Sequence, residues 1–111
     1  MTIHLIEKKV THEQLAEMLE ALDAYVKLAV DVETRILAGG GELHADCEAV
    51  LIEGGSEQKN VWGADWFPHS KEVTFESLIN IRPRDGNSSL ELQNEDLRNR
   101  IEEIVRDYFD G

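Results

Sequence analysis

The chain has 111 residues, 41% hydrophobic and 31% charged, a composition typical of one compact globular domain over residues 1–111 rather than a disordered chain. Aspartate and glutamate outnumber lysine and arginine 23 to 11, and the net charge of -12 repels phosphate backbones, which argues against nucleic acid as a partner. The sequence has neither a signal-peptide pattern nor an apolar stretch of about 20 residues, so we expect a cytoplasmic protein without membrane association.

The first part of the chain predicts a strand and then a helix. Residues 2–9 alternate apolar and polar side chains, as a short strand does. Thr11 and Gln14 have the spacing of a capping box, in which each side chain accepts a hydrogen bond from the other residue's backbone amide. Apolar residues then recur at helical spacing and form one stripe: Leu15, Met18, Leu19 and Leu22.

The central part predicts a β-hairpin. Residues 26–37 alternate as a long, half-buried strand, and the three glycines 39–41 can form the turn because glycine tolerates positive φ. Residues 42–53 then form the return strand. Its alternation predicts four polar side chains on the sheet face that the helices leave open: Glu42, His44, Asp46 and Glu48. The same alternation predicts that Leu43, Ala45, Cys47 and Ala49 point towards the core.

The last part predicts further strands and a second helix. Val61–Phe67 is a third sheet strand or a structured loop, and residues 72–82 alternate as a strand. Residues 83–87 carry turn-forming Pro, Gly and Asn. Asn94 is a good helix N-cap. The apolar stripe that follows it is Leu97, Ile101, Ile104, Val105 and Tyr108.

The order of elements, β-α-β-β-(β)-β-α, indicates an α+β fold. Strands joined by short turns pair antiparallel, and two one-faced helices cover one apolar sheet face, so we expect a two-layer sandwich. The predicted core consists of Leu19, Leu22, Leu28, Val30, Val32, Leu43, Phe75, Ile79, Ile101, Ile104 and Val105.

Several stretches of the chain resemble a family of small prokaryotic proteins of unknown function. They are VDVE at residues 30–33, GGELHAD at 40–46, WG at 62–63, and INIRP at 79–83 with GN at 86–87. The resemblance follows the chain in order over nearly its whole length, and GGELHAD and INIRP are its most distinctive parts. It implies a single-domain prokaryotic protein and supplies no catalytic residue.

The open sheet face is the main candidate site. Carboxylates and an imidazole within reach of one another can bind a divalent metal or perform acid–base chemistry. The candidate metal ligands are Asp31, Glu33, Glu42, His44 and Asp46, and the candidate catalytic residues are His44, Asp46 and Glu48. The alternative is a polar face that is solvated or covered by an oligomer partner.

A second candidate site is a possible anion-binding loop. Arg82, Arg84 and Asn87 flank a turn, where guanidinium groups and backbone amides can hold a phosphate or carboxylate. The alternative is a strand exit at which the arginines pair with nearby acids.

The functional expectation is a non-catalytic protein that acts as a homo-oligomer or binds a protein partner. It follows from the acidic surface and the lack of a catalytic motif, and we expect no cofactor. The alternative is a small metal-dependent hydrolase-like enzyme that uses His44, Asp46 and Glu48 and for which a divalent metal is possible. Cys47 is the only cysteine, so the chain has no intrachain disulfide and no multi-thiolate zinc site.

Overall fold

A five-stranded antiparallel sheet forms the centre of the computed structural model, which describes residues 2–110. The strands are β1 (His4–Ile6), β2 (Val26–Asp31), β3 (Ile36–Gly41), β4 (Val61–Phe67) and β5 (Glu72–Thr74), and the helices in this range are α1 (His12–Met18), α2 (His44–Glu53) and α3 (Glu95–Phe109). The strand order across the sheet is β1-β3-β2-β4-β5, and every neighbouring pair is antiparallel. The predicted α+β class is confirmed.

Both predicted helices form where their caps indicated. The Gln14 amide donates to Thr11 Oγ1 (3.1 Å) and the Thr11 amide donates to Gln14 Oε1 (3.0 Å), which completes the capping box at α1. The Leu97 amide donates to Asn94 Oδ1 (3.0 Å) at the start of α3. Both helices pack on the same face of the sheet, because their apolar side chains belong to one core cluster.

The hairpin turns earlier than predicted. The Asp31 carboxylate accepts hydrogen bonds from the amides of Glu33 (2.9 Å) and Thr34 (3.1 Å), and Arg35 adopts a positive φ of 61°. This turn reverses the chain between β2 and β3, so residues 26–37 are not one strand. Apolar–polar alternation continues through the turn in the sequence, which is why periodicity did not reveal it.

The three glycines lie inside β3 rather than in a turn. A Cβ atom at Gly41 would lie 3.1 Å from Cys47 Sγ of α2, and Gly40 has a φ of 105°, which side-chain-bearing residues rarely adopt. The glycines therefore let the helices approach the strand closely.

Residues 42–53 were predicted as a strand, and this prediction is wrong: they contain α2. The buried residues of α2 are His44, Cys47 and Leu51, which recur at helical spacing. Of the four side chains expected to point inward, only Cys47 is buried, whereas Leu43, Ala45 and Ala49 are exposed. Because α2 packs on the face opposite α1 and α3, the sheet has no open polar face.

The sheet therefore has an apolar cluster on each side. The larger cluster contains most of the predicted core: Leu28, Val30, Val32, Phe75, Ile101, Ile104 and Val105, with Leu19 packed against it. Ile79 packs in the smaller cluster beneath α2, with Ala29, Ala38, Cys47, Leu51 and Val61. Leu43 is exposed and Leu22 lies in neither cluster, so these two core predictions are wrong.

Val61–Phe67 is a full strand, while the strand predicted over residues 72–82 ends at Thr74. Residues after Thr74 form a loop with a 3-10 turn at Leu78–Asn80. The predicted turn at residues 83–87 is present, with Gly86 at a φ of 80°. Within residues 2–110 no helix combines the length and apolarity needed to cross a membrane.

Ile101 tests the packing of α3 against the sheet. Its side chain is fully buried, so Ile101→Ala should lower the free energy of unfolding by about 2–5 kcal/mol through lost burial and a cavity. Chemical denaturation measures the change. The control is Asn99→Ala on the exposed side of α3, which should change stability by no more than about 0.5 kcal/mol. Equal effects of the two substitutions would contradict the packing described.

Asp31 gives the hairpin a pH dependence. Burial raises the pKa of Asp31, but the Ser56 hydroxyl and the amides of Thr34 and Glu33 lower it by more, so the net pKa lies below its ordinary value. Its stabilising contribution is full above the unfolded pKa of about 3.9 and is lost as pH falls through the folded value.

Asp31→Asn should therefore lower the free energy of unfolding by about 1–3 kcal/mol at pH 7, and this penalty should shrink in acid. Urea unfolding at pH 7 and pH 3 measures it, with Glu53→Gln at the exposed end of α2 as the control. A penalty that is equal at both pH values, or larger in acid, would rule out an ionised, stabilising Asp31.

Candidate functional site

A pocket of about 570 Å³ lies on the α2 side of the sheet, between the first turn of α2 and the loop after β5. Its polar lining consists of Lys27, His44, Asp65, Thr74, Glu76 and Ser77. Its apolar lining includes Tyr25, Leu43, Phe67, Leu78, Ile79 and Leu90. The pocket therefore combines one polar region with apolar walls, as ligand sites in proteins commonly do.

A buried histidine–aspartate pair forms the polar region. His44 Nε2 lies 2.8 Å from Asp65 Oδ1 and 3.1 Å from the carbonyl oxygen of Ala64. His44 is only 8% exposed and Asp65 6%. His44 reaches this position because it is the first residue of α2, whereas Asp65 projects from the middle of β4.

Neighbouring strands hold Asp65 in place. Asp65 pairs with Lys27 of β2 on one side and with Thr74 of β5 on the other, so the three side chains form a row across the sheet. Thr74 Oγ1 donates a hydrogen bond to Asp65 Oδ2 (2.9 Å). Both carboxylate oxygens of Asp65 therefore have a partner, which fixes the orientation of the carboxylate towards His44.

The hydrogen bonds determine which imidazole nitrogen carries the proton. Both groups near His44 Nε2 are acceptors, a carboxylate and a carbonyl oxygen, so Nε2 must be the donor. In the neutral ring Nδ1 then has the lone pair. Among residues 2–110, Nδ1 has no hydrogen-bond partner, and the only fully enclosed side-chain N or O atom without one is Asp31 Oδ2. Nδ1 is thus an accessible acceptor.

The rim of the pocket is apolar and exposed. Leu43 is 57% exposed, Leu78 75% and Leu90 40%. The rings of Tyr25 and Phe67 stack with their centroids 4.8 Å apart and form one wall. Large apolar side chains gathered around a cavity mark a binding surface more often than isolated exposed ones do.

The structure separates most of the predicted metal and catalytic residues. His44 lines the pocket, whereas Asp46 and Glu48 lie on α2 outside its lining. Asp31 and Glu33 lie at the β2–β3 hairpin, in a different depression lined also by Thr34, residues 55–57, Lys59 and Asn60. Within residues 2–110, no three His, Cys, Asp or Glu side chains are arranged to hold a metal ion.

Glu42 lies beside the pocket rather than in its lining. It immediately precedes the exposed Leu43, and its backbone carbonyl accepts a hydrogen bond from Lys27 Nζ (3.1 Å). The predicted face is absent because it required residues 42–48 to be extended. Only His44 of the predicted set reaches the pocket.

Arg82, the first of the predicted anion-binding residues, forms its hydrogen bonds with the protein itself. Arg82 donates to the carbonyl oxygens of Ile79 (3.2 Å), Gln58 (2.8 Å) and Val61, and its guanidinium lies 3.6 Å from the ring centroid of Trp62. Burial lowers the pKa of Arg82, while Asp85 and Glu48 partly oppose that change. Arg82 therefore ties the loop to the sheet.

The other two members of the predicted anion site differ from each other. The Asn87 amide donates to the carbonyl oxygens of Asn80 (2.8 Å) and Ser89 (2.9 Å), and its own oxygen accepts from the Gln93 amide (2.9 Å). Arg84 is exposed. Asn87 is therefore a structural residue within the loop.

Sequence reasoning missed Asp65 and the structural role of Asn80. Asn80 donates to the carbonyl oxygens of Gly63 and Phe75 (3.0 Å each) and accepts from the Gly63 amide (2.8 Å), which holds the loop against β4. A signal for Asp65 was present, because it is the one charged residue in an otherwise apolar strand, on the face opposite Trp62 and Trp66.

Cys47 is buried one turn along α2 from His44 and tests the placement of this helix. Burial raises the pKa of Cys47 to about 11, which the Gly41 amide opposes and the charge of Asp46 reinforces. A thiol reagent at pH 8 should therefore label Cys47 slowly in the folded protein and rapidly in urea, where the side chain is exposed. Rapid labelling without denaturant would show that α2 does not cover this face.

Comparison with known proteins identifies the family but not the activity. Neither the curated proteins nor the solved structures include a match to this chain. A family profile described as "Protein of unknown function (DUF5674)" matches residues 4–108. This range contains the whole pocket and every strand and helix except the last residue of α3, Phe109, so the chain belongs to the DUF5674 family.

Proposed function

We propose that this domain is a non-catalytic interaction module that binds an apolar segment of a partner protein in the His44 pocket. The single observation that carries this proposal is the rim: Leu43, Leu78 and Leu90 are exposed around one cavity with a preorganised polar region. Covering a leucine side chain contributes about 1.5–3 kcal/mol, so three of them can supply the centre of an interface.

The charge of the chain favours a basic partner over a second copy. Two surfaces that each belong to a chain of net charge -12 repel one another, whereas a segment flanked by lysine or arginine is attracted. The same charge argues against nucleic acid. A cytoplasmic location in a prokaryote remains our expectation, in keeping with the free thiol of Cys47.

Hydrolase-like chemistry is the second candidate, because Asp65 and Thr74 orient His44 as a general base would be oriented. The nearest thiol does not serve as a nucleophile, since Cys47 is buried and donates to the Lys27 carbonyl (3.4 Å). Asp46 and Glu48 lie outside the pocket lining, so a metal in the pocket would depend on His44, Asp65 and Glu76, and no three such side chains within residues 2–110 are arranged to hold one. Ligand binding needs only the pocket lining, whereas hydrolysis would also need a nucleophile or a metal site.

A displayed library of random peptides selected on the purified domain tests the binding proposal. We expect enrichment of peptides with an apolar anchor and basic flanks, and we expect Leu78→Ser to weaken their binding at least about tenfold. Fluorescence anisotropy measures the affinities. Ile52→Ser removes an exposed apolar side chain of α2 outside the pocket lining and should leave them unchanged.

Failure to select any peptide that depends on Leu78 would contradict the proposal. Light scattering after size exclusion provides the companion measurement. A dimer that Leu78→Ser dissociates and Ile52→Ser does not would replace the protein partner with a second copy of the chain.

A further inference from the structure

We infer that the partner's anchor is an aromatic side chain with a neutral hydrogen-bond donor, tryptophan or tyrosine, whose N–H or O–H donates to His44 Nδ1. This inference rests on the proposed function and names the chemistry that the pocket selects. It follows from three independent features of the pocket: the acceptor, the walls and the local charge.

The acceptor is fixed by the protein. Asp65 Oδ1 and the Ala64 carbonyl both accept from Nε2, so the neutral ring presents a lone pair on Nδ1. Thr74 locks the carboxylate from its other side. Asp65 and Thr74 are thus positioning residues for Nδ1. An apolar anchor that covered Nδ1 would take water away from this acceptor without supplying a donor, which a good ligand avoids.

The walls of the pocket suit a planar ring. Tyr25 and Phe67 stack nearly parallel, with an interplanar angle of 9°. Leu78 and Leu90 lie on the loop side of the same cavity. Aromatic rings stack on such faces and against leucine, and the cavity of about 570 Å³ exceeds the volume of an indole ring.

Charged side chains are excluded as the anchor. A lysine or arginine anchor would lose the hydration of its charge among the apolar walls, where Asp65 already accepts hydrogen bonds from His44 and Thr74 and Lys27 adds repulsion. Asp65 and Glu76 line the same pocket and repel a carboxylate, which also lacks a proton for Nδ1. A neutral N–H or O–H donor remains. The basic residues of the partner then lie outside the pocket, where the net acidic surface attracts them.

A matched pair of ligands tests the inference. N-acetyl-tryptophanamide and its 1-methylindole analogue have nearly the same shape, but the second lacks the indole N–H. Titration followed by amide chemical shifts should show both binding near Ala45, Thr74 and Ser77, with the methylated compound about 5–10-fold weaker. Equal affinities, or no shifts at these residues with either compound, would overturn the inference.

His44→Gln separates the two ring nitrogens. The glutamine amide reaches the position of Nε2 and can still donate to Asp65, but it places no acceptor at Nδ1. We expect the variant to fold and to bind both compounds equally, at the level of the methylated one. A persistent preference for N-acetyl-tryptophanamide in this variant would mean that Nδ1 is not the acceptor.

The wild-type protein supplies a measurement that does not depend on any variant. Nitrogen-15 spectra of the neutral His44 ring should show the proton on Nε2 and the lone pair on Nδ1. A protonated Nδ1 would overturn the inference, because that nitrogen could not accept a hydrogen bond.

Failure of this inference can be distinguished from failure of the proposed function. Selected peptides that depend on Leu78 but lack tryptophan and tyrosine would overturn the inference and leave the interaction module standing. Conversely, His44-dependent binding of N-acetyl-tryptophanamide without any Leu78-dependent peptide would remove only the protein partner, and the pocket would then bind a small aromatic ligand.

Discussion

The structure depends on one constraint: the interior strands of the sheet, β3, β2 and β4, are buried on both faces. Val26, Leu28 and Val30 of β2 point to the side of α1 and α3, while Ala29 points to the side of α2. An antiparallel sheet in water commonly leaves one face solvated, but this one requires cover on both. Helix α2 covers the second face of the sheet. Because α2 is short, the loop after β5 covers one end of that face. The pocket lies where these two covers meet.

The face of the sheet that α1 and α3 cover could be predicted from the sequence, because each of these helices has its own local sequence pattern. Helices α1 and α3 have caps and apolar stripes, and local hydrogen bonds at Thr11 and Asn94 are made by residues within one turn. These features are local, and local patterns are readable without knowing the fold. Antiparallel pairing was also correctly expected, but the predicted pairing of residues 26–37 with residues 42–53 is wrong.

The α2 face of the sheet could not be predicted, because the residues that determine it interact across segments that are distant in the sequence. Residues 42–49 alternate as a strand would, and only the sheet face available to Cys47 and Leu51 makes a helix the better solution. The Asp31 turn lies within an unbroken alternation. His44 was identified as a candidate from its acidic neighbours in sequence, but its partner, Asp65, lies 21 residues away. Neither periodicity nor motif spacing connects them.

The other candidate residues have structural roles, and this contrast sets His44 apart. Asp31 forms the hairpin, and Gly41 makes room for α2. Asn80 and Arg82 fasten the loop to β4, and Asn87 holds the loop together, so each of these residues has a structural explanation. His44 is different. A buried pair of titratable side chains costs desolvation free energy that its own hydrogen bonds only partly recover, and an apolar pair of similar volume would stabilise the fold at least as well. Stability therefore does not explain a histidine at the start of α2 with one nitrogen fixed by Asp65 and the other presented to a cavity. The ligand recognition that we propose gives this histidine a role, because a tryptophan or tyrosine anchor would donate to Nδ1 in place of water.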